Sequence, residues 1–405
     1  MSRTGSAGTG AESHWDAIVL GGGMAGASCA WALAQHRRVL LLEREAHCGY
    51  HATGRSAALF SEYFGNRTVR ALTAASRPFF EAPPVGFASV PLVAPRGVVA
   101  LATHDDVDCG RIDTALAAGH HAHQPARVIG LDAALSRCPV IDPRPYRCAV
   151  WRPSVMDIDV DALHQSYLRG IRAAGGRVQT AAGVECAEGD ASGHWTVHTV
   201  AGRFHTPCLV NAAGAWADEV ARQAGVATID LVPKRRTAVI VDLPDGMPGQ
   251  PALASWPMVT DLADTFYFKP EAGRLLVSPS DETPMPPCDV QPEEWDVAVA
   301  VDRLQQATTL AVHRVAHRWA GLRSFVADGS PVLGAAGNAP GFFWAAALGG
   351  YGIQIAPAVG QALASLVLTG GLPDHFVERG LSAAALSPDR PTLAEAPCER
   401  LEALP

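Results

Sequence analysis

The sequence predicts an α/β protein of two domains. One is a Rossmann-like nucleotide-binding domain; the other is inserted into it and built on an antiparallel sheet. Three observations lead there. The chain opens on an apolar run, a glycine turn, a helical run, a second apolar run and an acid, all within residues 17–43. Its middle alternates apolar, β-branched and aromatic residues, the pattern of half-buried strands. After Pro331 it turns glycine-rich and apolar and closes on a helix. At 405 residues the chain is also too long for one compact core.

The first fourteen residues, MSRTGSAGTGAESH, are small and polar and read as a disordered tail. Ala17–Leu20 reads as a buried strand and Met24–Ala34 as a helix. Between them VLGGGMAG (19–26) sets Gly21, Gly23 and Gly26 in the GxGxxG register. Gly21 permits the tight turn out of the strand. Gly23 lets a pyrophosphate approach the backbone, and Gly26 lets the helix pack close to the sheet. The free N–H groups at the start of that helix favour phosphate. Val39–Leu42 is the second strand, and Glu43 after it is placed to accept hydrogen bonds from ribose hydroxyls. A glycine-rich turn in some other α/β protein would leave that acid unexplained. GxGxxG by itself does not separate FAD from NAD.

Further along, residues 159–174 read as an amphipathic helix capped by Asp159 or Asp161 and stopped by Gly175-Gly176. A strand at Arg177–Thr180 follows, then a hairpin of Trp195–Val200 and Arg203–Thr206 around Ala201-Gly202. Leu209-Val210 leads into NAAGAWAD (211–218), a second strand–glycine–helix transition. Residues 231–242, 265–269 and 274–278 read as antiparallel strands, punctuated by Pro233, Pro244, Pro248, Pro251 and Pro257. Residues 293–309 and 353–368 read as helices. The resulting division assigns 15–82, 153–228 and 326–395 to the nucleotide domain, and 83–152 and 229–325 to the substrate domain.

Composition narrows the function. The chain is 48% hydrophobic and 18% charged, with net charge −8, which argues against nucleic acid or an anionic membrane as partner. No apolar run reaches the roughly 18 residues of a membrane span. Nine cysteines without a CxxC pair read as reduced thiols in the cytoplasm. His313 and His317, in a helical-looking stretch, have HxxxH spacing. The residue after His313 is Arg314 and no third ligand is near, so HExxH chemistry is excluded. His120, His121 and His123 read as loop residues. No metal is expected.

Four blocks, GYHATGRSAA (49–58), VNAAGAWAD (210–218), WAGLRSFVADGSPVLG (319–334) and GFFWAAALGGYGIQ (341–354), resemble the flavin-dependent D-amino-acid oxidase superfamily, whose members include glycine and sarcosine oxidases. The resemblance covers about residues 15–390. Within that superfamily LEREA (42–46), RALTAASR (70–77), DALHQSYLRGIR (161–172), PKRR (233–236) and GLRSFVADG (321–329) are most similar to the bacterial D-arginine dehydrogenases. The resemblance implies FAD, bound by Gly21, Gly23, Met24, Ala25, Gly26, Glu43, Arg44, Thr53, Gly54, Arg55, Ser56, Ala57, Ala213, Gly214, Trp216, and Gly349, Gly350, Tyr351, Gly352, Ile353 and Gln354. Sarcosine-oxidase-like members attach flavin through a cysteine near the C-terminal glycine turn. Here Leu348 precedes that turn and 341–354 holds no cysteine, so a dissociable FAD is expected. GGYGIQ (349–354) would open a helix whose dipole faces the flavin ring; a glycine-rich helix entry made for packing is the alternative. Small residues in GRSAA would let backbone lie flat against the ring.

The resemblance also implies oxidation of the CH–NH2 group of a D-amino acid, a hydride passing from the α-carbon to flavin N5 and the imino acid hydrolysing to a 2-oxo acid and ammonia. Arg236 and Arg323 would clamp the substrate carboxylate, arginine being its bidentate partner. Tyr267 would add a hydroxyl contact, and the Gly350 carbonyl would accept from the amine. Surface charge is the alternative for Arg236 and core packing for Tyr267. Arg323, in apolar GLRSF, would be costly there without a partner. Leu59, Phe64, Val98, Met258 and Thr260 would line the substrate pocket. Leu59 stands where the D-arginine enzymes have histidine, Phe64 where they have tyrosine, and Val98 where they have the glutamate that pairs the guanidinium. An uncharged or apolar side chain is therefore expected. N-substituted amino acids, other amines, or a non-catalytic flavin subunit are the alternatives. The electron acceptor stays open.

Overall fold

The computed structural model describes residues 13–244 and 253–393. A six-stranded sheet runs in the order Arg177–Gln179, Val39–Leu42, Ala17–Leu20, Leu209–Asn211, Phe342–Ala346, Val332–Ala335. Its first five strands are parallel and the last is antiparallel. The strands from Val39 and Ala17 are continuous apolar runs, and these and the strand from Leu209 are buried throughout, as a sheet covered on both faces requires.

The helix Met24–Ala34 is apolar around most of its circumference, and nine of its eleven residues are buried. It is enclosed between this sheet and the helices Val160–Ala173 and Ala356–Thr369. The close approach needs small residues: a Cβ on Gly360 would come within 2.6 Å of the Ser28 carbonyl oxygen.

The second large sheet has eight strands in the order Val315–Phe325, Val232–Val241, Arg274–Ser278, Tyr267–Glu271, Met258–Asp261, Val98–Thr103, Tyr146–Arg152, Arg127–Ile129. It is antiparallel except for one pair, Met258–Asp261 beside Val98–Thr103, which is parallel. That pair joins strands from 98–152 to strands from 232–325, so the sheet is mixed where alternation alone suggested a purely antiparallel one. The helix Glu294–Ala307 packs on its outer face. Two small sheets complete the fold, one of Ser13–His14, Gly202–Thr206, Trp195–Thr199 and Val184–Gly189, the other of Leu59–Phe60, Met156–Ile158 and Val93–Pro95. No helix among the described residues is long and apolar enough to cross a membrane.

Asp159 caps its helix as expected, its Oδ1 accepting from the Ala162 N–H at 2.8 Å. Three local expectations are corrected. The end of the polar tail is a strand: Ser13-His14 pairs with Phe204-His205, because a free sheet edge accepts any extended backbone regardless of composition. Residues 1–12, like Pro248 and Pro251, lie outside the described residues. His317 belongs to the strand Val315–Phe325 and stacks on Trp319, and His313 lies ahead of that strand, so no helix sets the two rings on one face. The helix expected from 353 starts at Ala356. Pro357, lacking an N–H, fits only a helix's first turn, so GGYGIQ forms turns ahead of the helix.

Candidate cofactor and substrate site

One cavity runs from the carboxyl ends of the parallel strands to the face of the eight-stranded sheet. At its first end Gly21 has φ +103°, and a Cβ there would lie 2.5 Å from the Ala212 carbonyl oxygen. A Cβ on Gly26 would fall 1.9 Å from the Gly21 carbonyl oxygen. Gly26 therefore sets helix-to-turn packing and stays behind the wall, while Gly21, Gly23, Met24 and Ala25 line it. Glu43 also lines it, braced by the Gly22 N–H at 2.7 Å and the Glu45 N–H at 2.8 Å, with lone pairs to spare for hydroxyl donors. His164, which sequence reading missed, is buried and sits 2.9 Å from the Gly22 carbonyl oxygen. Burial pushes its pKa below 6.5. It holds the glycine turn from the helix behind.

Along the wall Thr53 accepts from the Met24 N–H at 2.9 Å. Arg44 stacks on Trp216 at 4.3 Å, and His51 packs against the same indole with ring centroids 4.5 Å apart. Ala213, Gly214, Trp216, Ser56 and Ala57 line the cavity, the small residues leaving a flat wall. Arg55 lines it too, but its guanidinium is committed to the Val290 and Ala320 carbonyls at 3.1 Å each and to Asp289. It ties this loop to the strand Val315–Phe325. Gly54 only closes the loop, donating to the Gly49 carbonyl at 2.8 Å. Ala182–Val184 and Cys288, from the chain's far segments, also face the cavity.

Strand alternation sorts the basic triplet at the other end. Arg235 turns away to Asp296 at 2.8 Å and to Glu293. Arg236 turns into the cavity, its Nε donating to the Asp281 carbonyl at 2.8 Å and its Nη2 pairing with Glu282 at 3.0 Å. Arg236 faces Gly321 in register, so Arg323, two residues on, is its diagonal neighbour on the same face. The Arg323 guanidinium has no hydrogen bond or ion pair among the described residues. Burial, and next the positive charge of Arg236, push its pKa down. An arginine keeps its proton regardless, so the cavity holds an uncompensated cation. Tyr267 lines the wall beside it.

Gly349, Gly350, Gly352 and Ile353 cover this end. The Gly349 N–H donates to the Ser324 carbonyl at 2.9 Å, which seats the turn on Arg323's own strand. The Gly350 carbonyl accepts no backbone hydrogen bond among the described residues.

Other predicted residues sit off the cavity. Gln354 is buried and spent on structure: its Oε1 accepts from Ser61 N–H at 2.9 Å and its Nε2 donates to Thr73 at 3.0 Å. Tyr351 lies behind the turn near Gly65, with burial raising its pKa. Thr260 is Tyr267's partner across the strands, but its hydroxyl donates to the Phe266 carbonyl at 2.7 Å. Leu59, Val98 and Met258 gather with Tyr267 and Ala57 into one apolar cluster. Phe64 packs under a buried arginine, Arg152.

These donor groups fit a dinucleotide: glycines without Cβ and a helix start at one end, a carboxylate for hydroxyls, a flat wall, and a cation with glycine turns at the other. The fold agrees with known structures. An L-proline dehydrogenase from P. horikoshii superposes with a TM-score of 0.77 at 21% identity, over 89% of this chain and 95% of that one. Glycine oxidase from Geobacillus kaustophilus superposes with a TM-score of 0.76 at 22% identity, over 88% and 95%. FAD-dependent oxidoreductase domain-containing protein 1 of Xenopus laevis is 28% identical over 186 residues, 40% of this chain but only 35% of that protein's length. The FAD-dependent oxidoreductase family model, DAO, matches residues 16–366. The chain belongs to the DAO family of FAD-dependent oxidoreductases.

Proposed function

We propose that the protein oxidises the CH–NH2 group of a D-amino acid, giving an imino acid that hydrolyses to a 2-oxo acid and ammonia. FAD, when bound, supplies the acceptor for the hydride leaving the α-carbon. The observation that carries the reading is Arg323, a cation with no counter-ion in a cavity wall. A substrate carboxylate supplies that counter-ion, with Arg236 and the Tyr267 hydroxyl alongside. The free Gly350 carbonyl accepts from the amine and orients it for oxidation. No general base is required, since the amine can lose its proton on binding.

A cationic side chain is disfavoured. Val98 is fully buried, and a charge left there without its acid costs about 3–5 kcal/mol, several hundredfold or more in binding. This reading parts from the D-arginine dehydrogenases at that position. Leu59, in the apolar cluster beside Tyr267, puts no polar group there to reject an N-alkyl group, which supports N-substituted amino acids as a second reading.

FAD is proposed to be bound without a covalent link. Anaerobic bleaching of the yellow protein by a panel of D-, L- and N-methyl amino acids tests the reading. Bleaching by D-amino acids is expected; a protein that binds no FAD, or whose flavin no amine bleaches, would overturn it.

A further inference from the structure

Arg152 closes the strand Tyr146–Arg152 and is paired in register with Val98. Directly opposed residues of an antiparallel pair put their side chains on the same face. On that face Val98 packs with Tyr267 and Met258. Arg152 is only 7% exposed. Its guanidinium lies over the Phe64 ring at 4.8 Å. Its Nε is sealed from solvent with no hydrogen-bond partner, and among the described residues no carboxylate comes within ion-pair distance.

The nearby acids are paired elsewhere or stand beyond ion-pair distance. Glu62 holds Arg77 at 2.7 Å and the His123 N–H at 2.9 Å. Asp157 holds Arg96 and, at 3.1 Å, Lys269. The Tyr63 hydroxyl is engaged by Ser154 at 2.8 Å and by the Gln124 carbonyl. Exposed Asp264, at the tip of the turn between Asp261 and Thr265, acts through space on both Arg152 and Arg323.

A buried guanidinium without a counter-ion is costly, and this region holds two. A substrate's α-carboxylate compensates one. We propose that the other is compensated by the substrate as well: the site takes a dicarboxylic amino acid, with the α-carboxylate at Arg323 and the distal carboxylate at Arg152. The methylene segment lies along Tyr267, on the side of the apolar cluster that holds Leu59, Val98 and Met258. The proposal rests on the function reading above and narrows it. Val98 removes an acid from this wall, and the residue opposite it supplies a base, so an anionic group replaces the uncharged one expected from Val98 alone. Phe64, with no hydroxyl, holds the guanidinium plane and leaves its Nη donors free.

The test uses the full-length, FAD-loaded protein. Anaerobic flavin reduction is measured with D-glutamate, D-aspartate and iminodiacetate, against D-glutamine, D-asparagine, D-leucine and D-phenylalanine. The expected acid-to-amide ratio of kcat/KM is about 30-fold or more, the worth of a desolvated charge pair. Arg152→Met, which keeps the length and the contact with Phe64, should bring that ratio to about one, and Arg152→Lys should keep part of it. Glutarate should raise the wild-type Tm more than butyrate does, and that difference should vanish in Arg152→Met. A wild type that prefers leucine or phenylalanine, or a ratio that Arg152→Met leaves unchanged, would overturn the proposal and leave amino-acid oxidation standing. If no amino acid bleaches the flavin, the function reading fails, and the glutarate shift then decides Arg152's role alone: present and lost in the variant it supports a distal carboxylate site, absent it ends the proposal.

Discussion

Gly350→Ala is the sharpest perturbation of the proposed clamp. Gly350 does not have a left-handed φ, so alanine costs nothing in backbone strain there. The new Cβ would lie 2.8 Å from Arg323 Nη1 and 3.0 Å from its Cζ. Ordinary contact begins near 3.4 Å, so the guanidinium must retreat by about 0.6 Å. It is the end of a flexible side chain with no partner to hold it, and it can retreat into the cavity. The fold should therefore lose less than about 1 kcal/mol, within the range of a tolerated surface change. The clamp loses alignment of one charged hydrogen bond, worth about 1.5–3 kcal/mol, so the Kd for substrate should rise about 10- to 100-fold. Stopped-flow reduction of the flavin at varied substrate concentration separates that Kd from the limiting rate. Gly349→Ala is the contrasting control: φ is +55° and the Cβ would meet Phe325 at 2.6 Å, so it should lower Tm. If Gly350→Ala leaves both Kd and limiting rate within threefold of wild type, Arg323 does not receive the substrate carboxylate.

Arg323→Met should raise the Kd of any carboxylate ligand about 100-fold or more without lowering Tm, because the guanidinium it removes has no partner; a lowered Tm in calorimetry would show a structural role instead. His164 makes stability depend on pH. Its folded pKa lies below 6.5 because it is buried, so the unfolded chain takes up the proton first and stability drains as pH falls below about 6.5. Tm measured at pH 7.5, 6.5 and 5.5 should fall less steeply in His164→Gln than in wild type, and parallel curves would remove His164 as the cause. Acid precipitation should leave the yellow colour in the supernatant; colour retained in the pellet would mean a covalent flavin, with His51 and Cys288 the nucleophilic side chains in the cavity wall to substitute first.

Much of the dinucleotide end was legible in the chain because it is built from contiguous residues. The glycine turn, the helix and Glu43 lie within one βαβ unit, and spacing places each. Gln354, Tyr351 and Gly54 were not legible as structural residues, since a motif match carries no information on which side of a backbone each side chain falls. Gln354 is adjacent to cavity-lining Ile353 yet faces Ser61 and Thr73. His164 acts on the turn across 142 residues of chain, and no local pattern announces that.

The order of apolar runs and glycines in this sequence was enough to determine an α/β nucleotide fold with an inserted sheet, because strand burial and tight turns are local demands that residue type answers directly. Charge compensation is not local. Lys234, Arg235 and Arg236 are indistinguishable as a basic run, and only the strand register turns Arg235 to its acids and Arg236 to the cavity. Val98 and Arg152 are 54 residues apart, and the sheet alone sets them opposite each other. The tertiary structure thus decided which cations are left without a counter-ion.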